Sequence, residues 1–309
     1  MRERLTDLGF AAGWGAVKAL PEGVARRLFQ AGADRAVRRR GAGVRQLEAN
    51  LRRVVGGEVP PDLLRAAMRS YARYWLEVFR LPVMDRNAVF AAADRRPLGV
   101  DNLDKAYAEG RGVILVLPHM ANWDIAALWL VRHGMPFTTV AERLKPESLY
   151  RRFVAFRESI GMEVLPLTGG ERPASDVLAE RLRAGRVVVL VGDRDLSRSG
   201  VPVDFFGEQA TMPPGPALLA IRTGAPLLPA GLWFDGPSWI HHIHEPVRIA
   251  TTGRLRDRVR AATQEVADVF AADIAAHPAD WHMLQRLWLA DLDPARAPER
   301  ERSGDLGGG

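Results

Sequence analysis

The sequence contains no cysteine, and this absence removes several kinds of chemistry at once. Disulfides, thiolate nucleophiles, cysteine-ligated zinc sites and iron–sulfur clusters held by cysteine are excluded. The sequence also lacks the G-x-S-x-G elbow of serine hydrolases, a Walker A loop and the dinucleotide motif G-x-G-x-x-G. What is present, 309 residues with 47% apolar and 26% charged side chains, is typical of a globular protein with a large core, built as one α/β domain or two smaller ones.

No apolar run is long enough to cross a bilayer, which takes roughly 20 residues. The nearest, Leu8–Val17, has ten residues and ends at Lys18. Gly13 and Gly15 interrupt it, and no small-x-small cleavage site follows, which argues against a signal peptide. The sequence therefore predicts a cytoplasmic protein that lies on a membrane without crossing it.

The positive charge is concentrated at the N-terminus. The net charge is +6, and residues 1–60, with 12 basic and 6 acidic side chains, hold the whole surplus. A basic segment with helical apolar spacing favours an anionic membrane surface, with a plain solvated face as the alternative. Nucleic acid is disfavoured because no basic–aromatic RNA-binding motif or zinc finger occurs. We predict membrane-associating amphipathic helices over 1–60, an α/β core over 61–293 and a disordered tail over 294–309.

One helical face near the N-terminus is a candidate for insertion into lipid. Phe10, Trp14 and Val17 lie near one side of a predicted helix over Arg4–Leu20. We expect this face to dock on the membrane interface. The alternative is that Trp14 and its neighbours pack on the catalytic core.

The spacing of apolar residues predicts the fold class. Helical spacing dominates the first third, and we expect helices over Pro21–Arg39, Val44–Val55 and Leu63–Arg80. Apolar runs then predict strands over Gly112–Pro118, Phe137–Ala141, Glu163–Leu167, Val187–Val191, Pro226–Trp233 and Trp239–Ile249. Helices are expected between most of them and over Leu255–Ala276. Strands alternating with helices predict an α/β fold with a central, mostly parallel sheet covered by helices on both faces.

The strongest candidate for chemistry follows the first predicted strand. His119 stands at the turn between strand and helix, and Asp124 lies in the first turn of that helix. Because the turn breaks the helical spacing, we expect Asp124 to reach back to the imidazole. A carboxylate on one ring nitrogen fixes the tautomer and raises the basicity of the other, which can then deprotonate an alcohol. The alternative is a buried histidine that is merely capped by an aspartate.

A second group of charges is predicted at the same sheet edge. Gly192–Asp195 follows another buried strand, and the carboxyl ends of parallel strands are where ligands bind. The alternative for this segment is an exposed loop. Glu142 and Arg143 follow a third strand, and Arg157 lies on the next helix. Arg143 and Arg157 are candidates for gripping a phosphate, with a solvated helix start as the alternative for Arg143.

The histidine-rich stretch His241–His244 is interpreted as the polar face of a strand. On a strand His242 and His244 point to one side and His241 to the other, so the run does not predict a metal site by itself.

The ordered set of motifs resembles a known family. The strand–H-x-x-x-x-D–helix unit at Val113–Asp124 resembles block I of the glycerolipid acyltransferase superfamily. Five further segments accompany it in order: Glu142–Glu147, Arg157–Gly161, Asp193–Leu196, Asp204–Gly207 and Met212–Gly215. Together they are similar to the bacterial lipid A biosynthesis lauroyl/myristoyl acyltransferases, and within them to the actinobacterial phosphatidylinositol mannoside acyltransferases.

The resemblance implies transfer of a long acyl chain, such as palmitoyl, from acyl-CoA to a sugar hydroxyl of a mannosylated phosphatidylinositol. It implies no cofactor, acyl-CoA being a co-substrate, and a peripheral position on the cytoplasmic face of the cell membrane. The implied site residues are His119 as general base with Asp193 as its acidic partner, Arg157 on acyl-CoA, and Glu142 and Arg143 on the acceptor side. Arg194 and Asp195 are further substrate-binding candidates. Ser199, Gly200, Val201 and Arg222 match positions that handle acyl-CoA.

One position departs from the pattern. Where the phosphatidylinositol mannoside branch carries Glu-Arg-Asp, this chain has Asp193-Arg-Asp195. Two alternatives stay open: a lipid A or lysophospholipid acyltransferase with another acceptor, and a catalytically silent membrane-surface binding module. A binding module has no need of a base, so activity at His119 discriminates the two classes.

Overall fold

The computed structural model describes residues 13–143, 147–195 and 199–292. Within these residues the chain forms a six-stranded sheet with helices on both sides, and a separate two-stranded hairpin. This confirms the predicted α/β class with its mostly parallel sheet. The expected docking of Phe10 and the expected disordered tail over 294–309 concern residues outside the described ranges.

The central sheet follows from short apolar runs. Its strands are β1 (Val113–Leu117), β2 (Phe137–Ala141), β3 (Glu163–Pro166), β4 (Val187–Val191), β7 (Leu227–Asp235) and β8 (Ser238–Ile243). Their spatial order is β3-β2-β4-β1-β7-β8; only the β7–β8 pair is antiparallel. All five residues of β1 are buried, because helices cover both faces of this central strand.

Eleven helices are seen in the described ranges. They are α1 (residues 13–19), α2 (Glu22–Arg39), α3 (Ala42–Val55), α4 (Pro61–Arg80), α5 (Arg86–Ala93), α6 (Val100–Ala108), α7 (Trp123–Arg132), α8 (Glu147–Ser159), α9 (Ala174–Arg183), α10 (Gly215–Thr223) and α11 (Leu255–Ala276). Helices α9, α10 and α11 cover one face of the sheet, and α7 packs on the other. Short 3-10 turns occur at Leu81–Val83, Pro278–Asp280 and Leu289–Asp291.

The N-terminal helices pack on the rest of the chain. Helix α2 lies along α4, and Asn50 of α3 donates hydrogen bonds to the carbonyls of Met283 and Gln285. The Trp14 indole donates to the Phe79 carbonyl at 2.9 Å. The indole therefore packs on the core, as in the alternative considered for it. The boundary at residue 60 remains a prediction.

The structure corrects the predicted end of β8. The strand was expected to continue to Ile249 but ends at Ile243. Pro246 has no N–H to donate, so a regular ladder cannot pass through this segment. Val247 instead makes a single backbone hydrogen bond to Leu227. The predicted strand is therefore six residues too long.

A hairpin that was not predicted lies between β4 and α10. Strands β5 (Val201–Phe205) and β6 (Glu208–Met212) pair antiparallel. Phe206 and Gly207 form the connection with φ of 51° and 77°, the left-handed conformation that two-residue hairpin turns require. Phe205 of this hairpin is fully buried against Trp281 and Trp288. The alternation on either side of the Phe-Gly pair was the signal that could have revealed it.

The described part of the chain includes no helix that is both long enough and apolar enough to cross a bilayer.

Candidate active site

His119 lies in the loop that joins β1 to α7. The loop turns sharply, because the Met120 N–H donates to the Pro118 carbonyl at 2.7 Å. Asn122 then caps α7, its side-chain oxygen accepting from the N–H groups of Asp124 and Ile125. The loop thus places His119 at the carboxyl edge of the parallel strands, as predicted.

Asp193 is the carboxylate partner of His119. Asp193 follows β4, which pairs directly with β1. Its Oδ1 lies 2.5 Å from His119 Nδ1, and its Oδ2 accepts from the His119 backbone N–H at 2.9 Å. Gly192 permits this approach, because a Cβ there would lie 2.4 Å from a Val116 methyl. One carboxylate therefore holds both the ring and the backbone of His119.

The electrostatics of the pair favour a basic imidazole. Burial lowers the pKa of His119, but the charge and hydrogen bond of Asp193 outweigh it, and the net pKa is raised above 6.5. Arg194 opposes this with its positive charge. Burial raises the pKa of Asp193, yet His119 and the Trp281 indole hold it below its usual value. With Nδ1 occupied and 39% of the side chain exposed, Nε2 is the atom available to a substrate.

The predicted contact between Asp124 and His119 is wrong. Asp124 is fully buried and pairs with Arg157, whose Nε lies 2.9 Å from Oδ1. The Arg157 guanidinium also lies over the Trp123 ring, 4.1 Å from its centre. Asp124 points into the interior because it occupies the first turn of α7, whose buried face packs on the sheet. The motif places His119 in the loop and Asp124 in the following helix, and the two side chains do not meet.

A C-terminal segment that sequence reasoning missed supports this loop. The Trp281 indole donates to Asp193 Oδ2 at 3.0 Å, and the His282 N–H donates to the His119 carbonyl at 2.8 Å. Ala121 donates its N–H to the Asp280 carbonyl at 2.9 Å. The φ of Ala121 is 42°, an uncommon conformation for a residue with a side chain, which this backbone pairing holds in place. No sequence signal links residues 280–282 to His119, because about 160 positions separate them.

Buried polar groups anchor the same segment from α4. The Ser70 hydroxyl donates to Asp280 Oδ1 at 2.6 Å and lies 2.9 Å from His282 Nε2. The other Asp280 oxygen accepts from the Phe234 N–H at 2.9 Å. Burial lowers the pKa of His282 to about 3, so its imidazole is neutral. The support behind the His119 loop is therefore fully hydrogen-bonded and buried.

The acceptor-side candidates are placed at the same edge. Glu142 and Arg143 directly follow β2, and both are exposed. Arg143 pairs with Glu147 at 2.9 Å and is held near the Gly169 carbonyl. Glu142 and Arg143 are two strands away from His119, because β4 lies between β2 and β1.

The candidates that follow β4 surround the end of that strand. Asp195 Oδ2 accepts from the Gly200 N–H at 3.1 Å, ahead of Val201 at the start of β5. Ser199 is exposed.

Arg222 is not brought to this group. It lies in the last turn of α10, which leads into the amino end of β7, and its guanidinium pairs with Asp176 at 3.2 Å. Since β7 runs parallel to β1, this turn precedes the strand end opposite to the one that carries His119.

An apolar cavity of about 50 Å³ lies between α7 and the sheet. Leu117 and Val191, the last residues of β1 and β4, line it together with Trp123 and Met162. It therefore adjoins the ends of the two strands that carry the His119–Asp193 pair.

Comparison of the whole sequence with known protein families identifies the class of protein. The sequence model of the family described as "Bacterial lipid A biosynthesis acyltransferase" matches residues 2–290. The chain therefore belongs to the bacterial lipid A biosynthesis acyltransferase family. A phosphatidylinositol mannoside acyltransferase of Mycolicibacterium smegmatis is 55% identical over 296 residues, 95% of this chain and 94% of the relative.

Two further relatives differ in how far the similarity extends. A phosphatidylinositol mannoside acyltransferase of Mycobacterium tuberculosis is 55% identical over 94% of this chain and 91% of its own. A lipid A biosynthesis acyltransferase of Haemophilus influenzae is 27% identical over 135 residues, 43% of this chain and 41% of the relative. The full-length similarity is thus to the mannoside enzymes.

Proposed function

We propose that the chain transfers a long acyl chain, such as palmitoyl, from acyl-CoA to a mannose hydroxyl of a phosphatidylinositol mannoside, with His119 as general base. The observation that carries the proposal is the His119–Asp193 pair, whose 2.5 Å contact leaves Nε2 directed away from the carboxylate. The acceptor is chosen because the relatives named for it are 55% identical over at least nine-tenths of both chains. No cofactor takes part.

The reaction is a direct acyl transfer. His119 Nε2 takes the proton of the acceptor hydroxyl while its oxygen attacks the thioester carbonyl carbon. The resulting tetrahedral intermediate collapses, the carbon–sulfur bond breaks, and the CoA sulfur leaves with the proton that His119 gives back. Asp193 stabilises the imidazolium between these steps. A covalent acyl-enzyme is not expected, since the chain has no cysteine and no nucleophile elbow.

Helix α2 is the surface proposed to dock on the cytoplasmic face of the membrane. Val24 and Leu28, one helical turn apart, are 45% and 57% exposed, and Arg27 and Arg35 are exposed on the same helix. Apolar side chains that insert and basic ones that meet anionic headgroups are what an interfacial helix needs. Docking there would keep the acceptor's lipid anchor in the leaflet while its mannose reaches His119.

The activity is tested by incubating purified protein with palmitoyl-CoA and a panel of lipids, with products identified by mass spectrometry. The panel contains phosphatidylinositol mannosides, unmannosylated phosphatidylinositol, a lysophospholipid and a lipid A precursor. The expected product is a mannoside with one added palmitoyl group. Equal acylation of a non-mannosylated lipid would refute the acceptor, and failure to consume palmitoyl-CoA with any lipid would refute the catalysis.

Docking is tested separately by co-sedimentation with anionic and neutral vesicles. Leu28→Glu should weaken binding to anionic vesicles, whereas Leu255→Glu, at a leucine 54% exposed on α11, should not. Salt should also weaken the attachment. Equal binding by both variants would contradict docking through α2.

A further inference from the structure

Three potential metal ligands converge on the side of the sheet opposite α7. His242 lies in the edge strand β8 and His244 directly follows the end of that strand, and their ring centres are 3.9 Å apart. Asp273, near the end of α11, places Oδ2 at 2.8 Å from His244 Nε2. One donor atom from each of the three residues lies within 4.8 Å of the other two. His241 points the other way and packs on Trp129.

A glycine opens the space that the carboxylate occupies. Gly231 stands opposite His242 in the β7–β8 ladder. A Cβ at this position would lie 2.1 Å from Asp273 Oδ2, so only a glycine lets the carboxylate lie against the strand backbone. The side chain of Asp273 is 11% exposed, and a buried carboxylate is costly unless a positive charge or hydrogen bonds face it.

One partner of the Asp273 carboxylate is the His244 imidazole, whose Nε2 lies 2.8 Å from Oδ2. An imidazole binds a metal ion through a ring nitrogen that carries no proton, and a carboxylate oxygen can serve as a further donor beside two histidines. A divalent cation between the three side chains would place positive charge against this buried carboxylate.

We propose that His242, His244 and Asp273 bind one Zn²⁺ ion. Two imidazole nitrogens and one carboxylate oxygen form a donor set that zinc accepts in proteins, with water completing four-coordination. Both histidines are partly exposed, which gives the ion a path from solvent. Sequence reasoning saw only the two histidines on one strand face; the third donor is about thirty residues further along and becomes adjacent only through the fold.

The expected role of the ion is structural. It would join the edge strand β8 to the last turns of α11, and α11 leads into the Asp280–His282 segment that supports the His119 loop. Strand β7 separates β8 from β1, which carries His119, so the ion would take no direct part in acyl transfer. The proposal does not depend on the identity of the acyl acceptor.

The test uses the full chain stripped with a chelator, dialysed, and titrated with ZnCl₂. After gel filtration, elemental analysis should find one zinc per chain, and Tm should rise by about 4 °C at saturating metal. Co²⁺ in place of Zn²⁺ should give the visible absorption bands of a low-symmetry four-coordinate site. A wild-type chain that retains no zinc would overturn the proposal.

Matched variants locate the ion. His242→Gln and Asp273→Asn should both lose the zinc and the Co²⁺ bands; His242→Gln is the safer of the two, because His242 is only partly buried. The control is His133→Gln, which removes a histidine that pairs with Asp104 at 2.9 Å and should retain one zinc. Retention of zinc by His242→Gln, or its loss only on His119→Ala, would place the ion elsewhere and contradict the assignment.

Discussion

Two ion pairs begin shortly after β1 and differ in how far they are exposed. One is formed by His119, in the loop, and the other by Asp124, in the first turn of α7. His119 pairs with Asp193 and keeps 39% of its side chain exposed. Five residues later, Asp124 pairs with Arg157, and their side chains are 0% and 12% exposed. The first pair contains an imidazole that is open to solvent, whereas the second pairs a guanidinium with a carboxylate inside the core.

The difference separates a pair that a substrate can reach from a pair that is closed in the core. An exchangeable proton needs a histidine and an open side, and Asp193 leaves Nε2 on that side. The buried arginine–carboxylate pair joins α7 to α8 and leaves neither side chain open to a substrate. We therefore expect substitutions in the open pair to change turnover and those in the closed pair to change stability.

The largest effect is expected from His119→Ala. A positioned general base contributes about 10²–10⁴-fold, so turnover should fall by that factor while acyl-CoA affinity and Tm change little. Steady-state kinetics with a mannosylated acceptor and a thermal melt measure the three quantities. A variant with near wild-type turnover would show that the open pair is not the chemical one.

Substitutions at Asp193 test whether its carboxylate charge supports His119. Asp193→Asn should lower turnover by about 10²-fold or more, because the imidazolium loses its stabilising carboxylate. Asp193→Glu keeps the carboxylate charge and should retain much more activity than the asparagine variant. Equal losses in the two variants would mean that the position needs the length of aspartate rather than its charge.

The closed pair should respond in stability. Breaking a buried ion pair leaves one uncompensated charge, so Arg157→Gln should reduce the free energy of unfolding by about 3 kcal/mol. The control is Arg143→Gln, which breaks an exposed pair with Glu147 and should leave Tm nearly unchanged. Denaturant titration measures both. If Arg157→Gln left stability intact and raised only the KM for acyl-CoA, the guanidinium would be a phosphate ligand instead.

The smallest expected effect is on the pH dependence of the unfolding free energy. It comes from buried histidines, in contrast to the open His119. Burial lowers the pKa of His282 to about 3 and that of His241 to about 4. Below about pH 6.5 the unfolded chain binds protons that the folded chain does not. The free energy of unfolding therefore decreases as the pH is lowered, by up to about 1.4 kcal/mol per pH unit for each histidine. His241→Gln should make the pH dependence of the unfolding free energy shallower. An unchanged slope would mean that His241 titrates normally.

Sequence reasoning reached the strands and the edge of the sheet more reliably than the contacts. Strands β2 and β4 match their predicted bounds to the residue, because a run of five apolar or β-branched side chains has few alternatives. The parallel arrangement then placed His119 and Asp193 at one edge. The spacing of the motif predicts Asp124 as the partner of His119, and this prediction is wrong. A spacing does not tell in which direction the first residues of a helix point their side chains.

The remaining parts of the site depend on contacts between distant segments. Trp281 reaches Asp193, and Ser70 reaches Asp280, only because α4 and the end of the chain pack on the β1–α7 loop. Neither pair has a motif or a characteristic spacing. Residues that position a catalytic group through hydrogen bonds of this kind are found from the fold, not from the local pattern.

The central claim, that Asp193 and Arg194 set the basicity of a catalytic His119, is tested most directly by the pH dependence of kcat/KM. In the wild type the acidic limb should lie above pH 6.5, because only neutral His119 accepts a proton and its pKa is raised. Asp193→Asn should move that limb to lower pH, and Arg194→Gln should move it to higher pH. A limb that stays in place in both variants would contradict the assignment of His119 as the base.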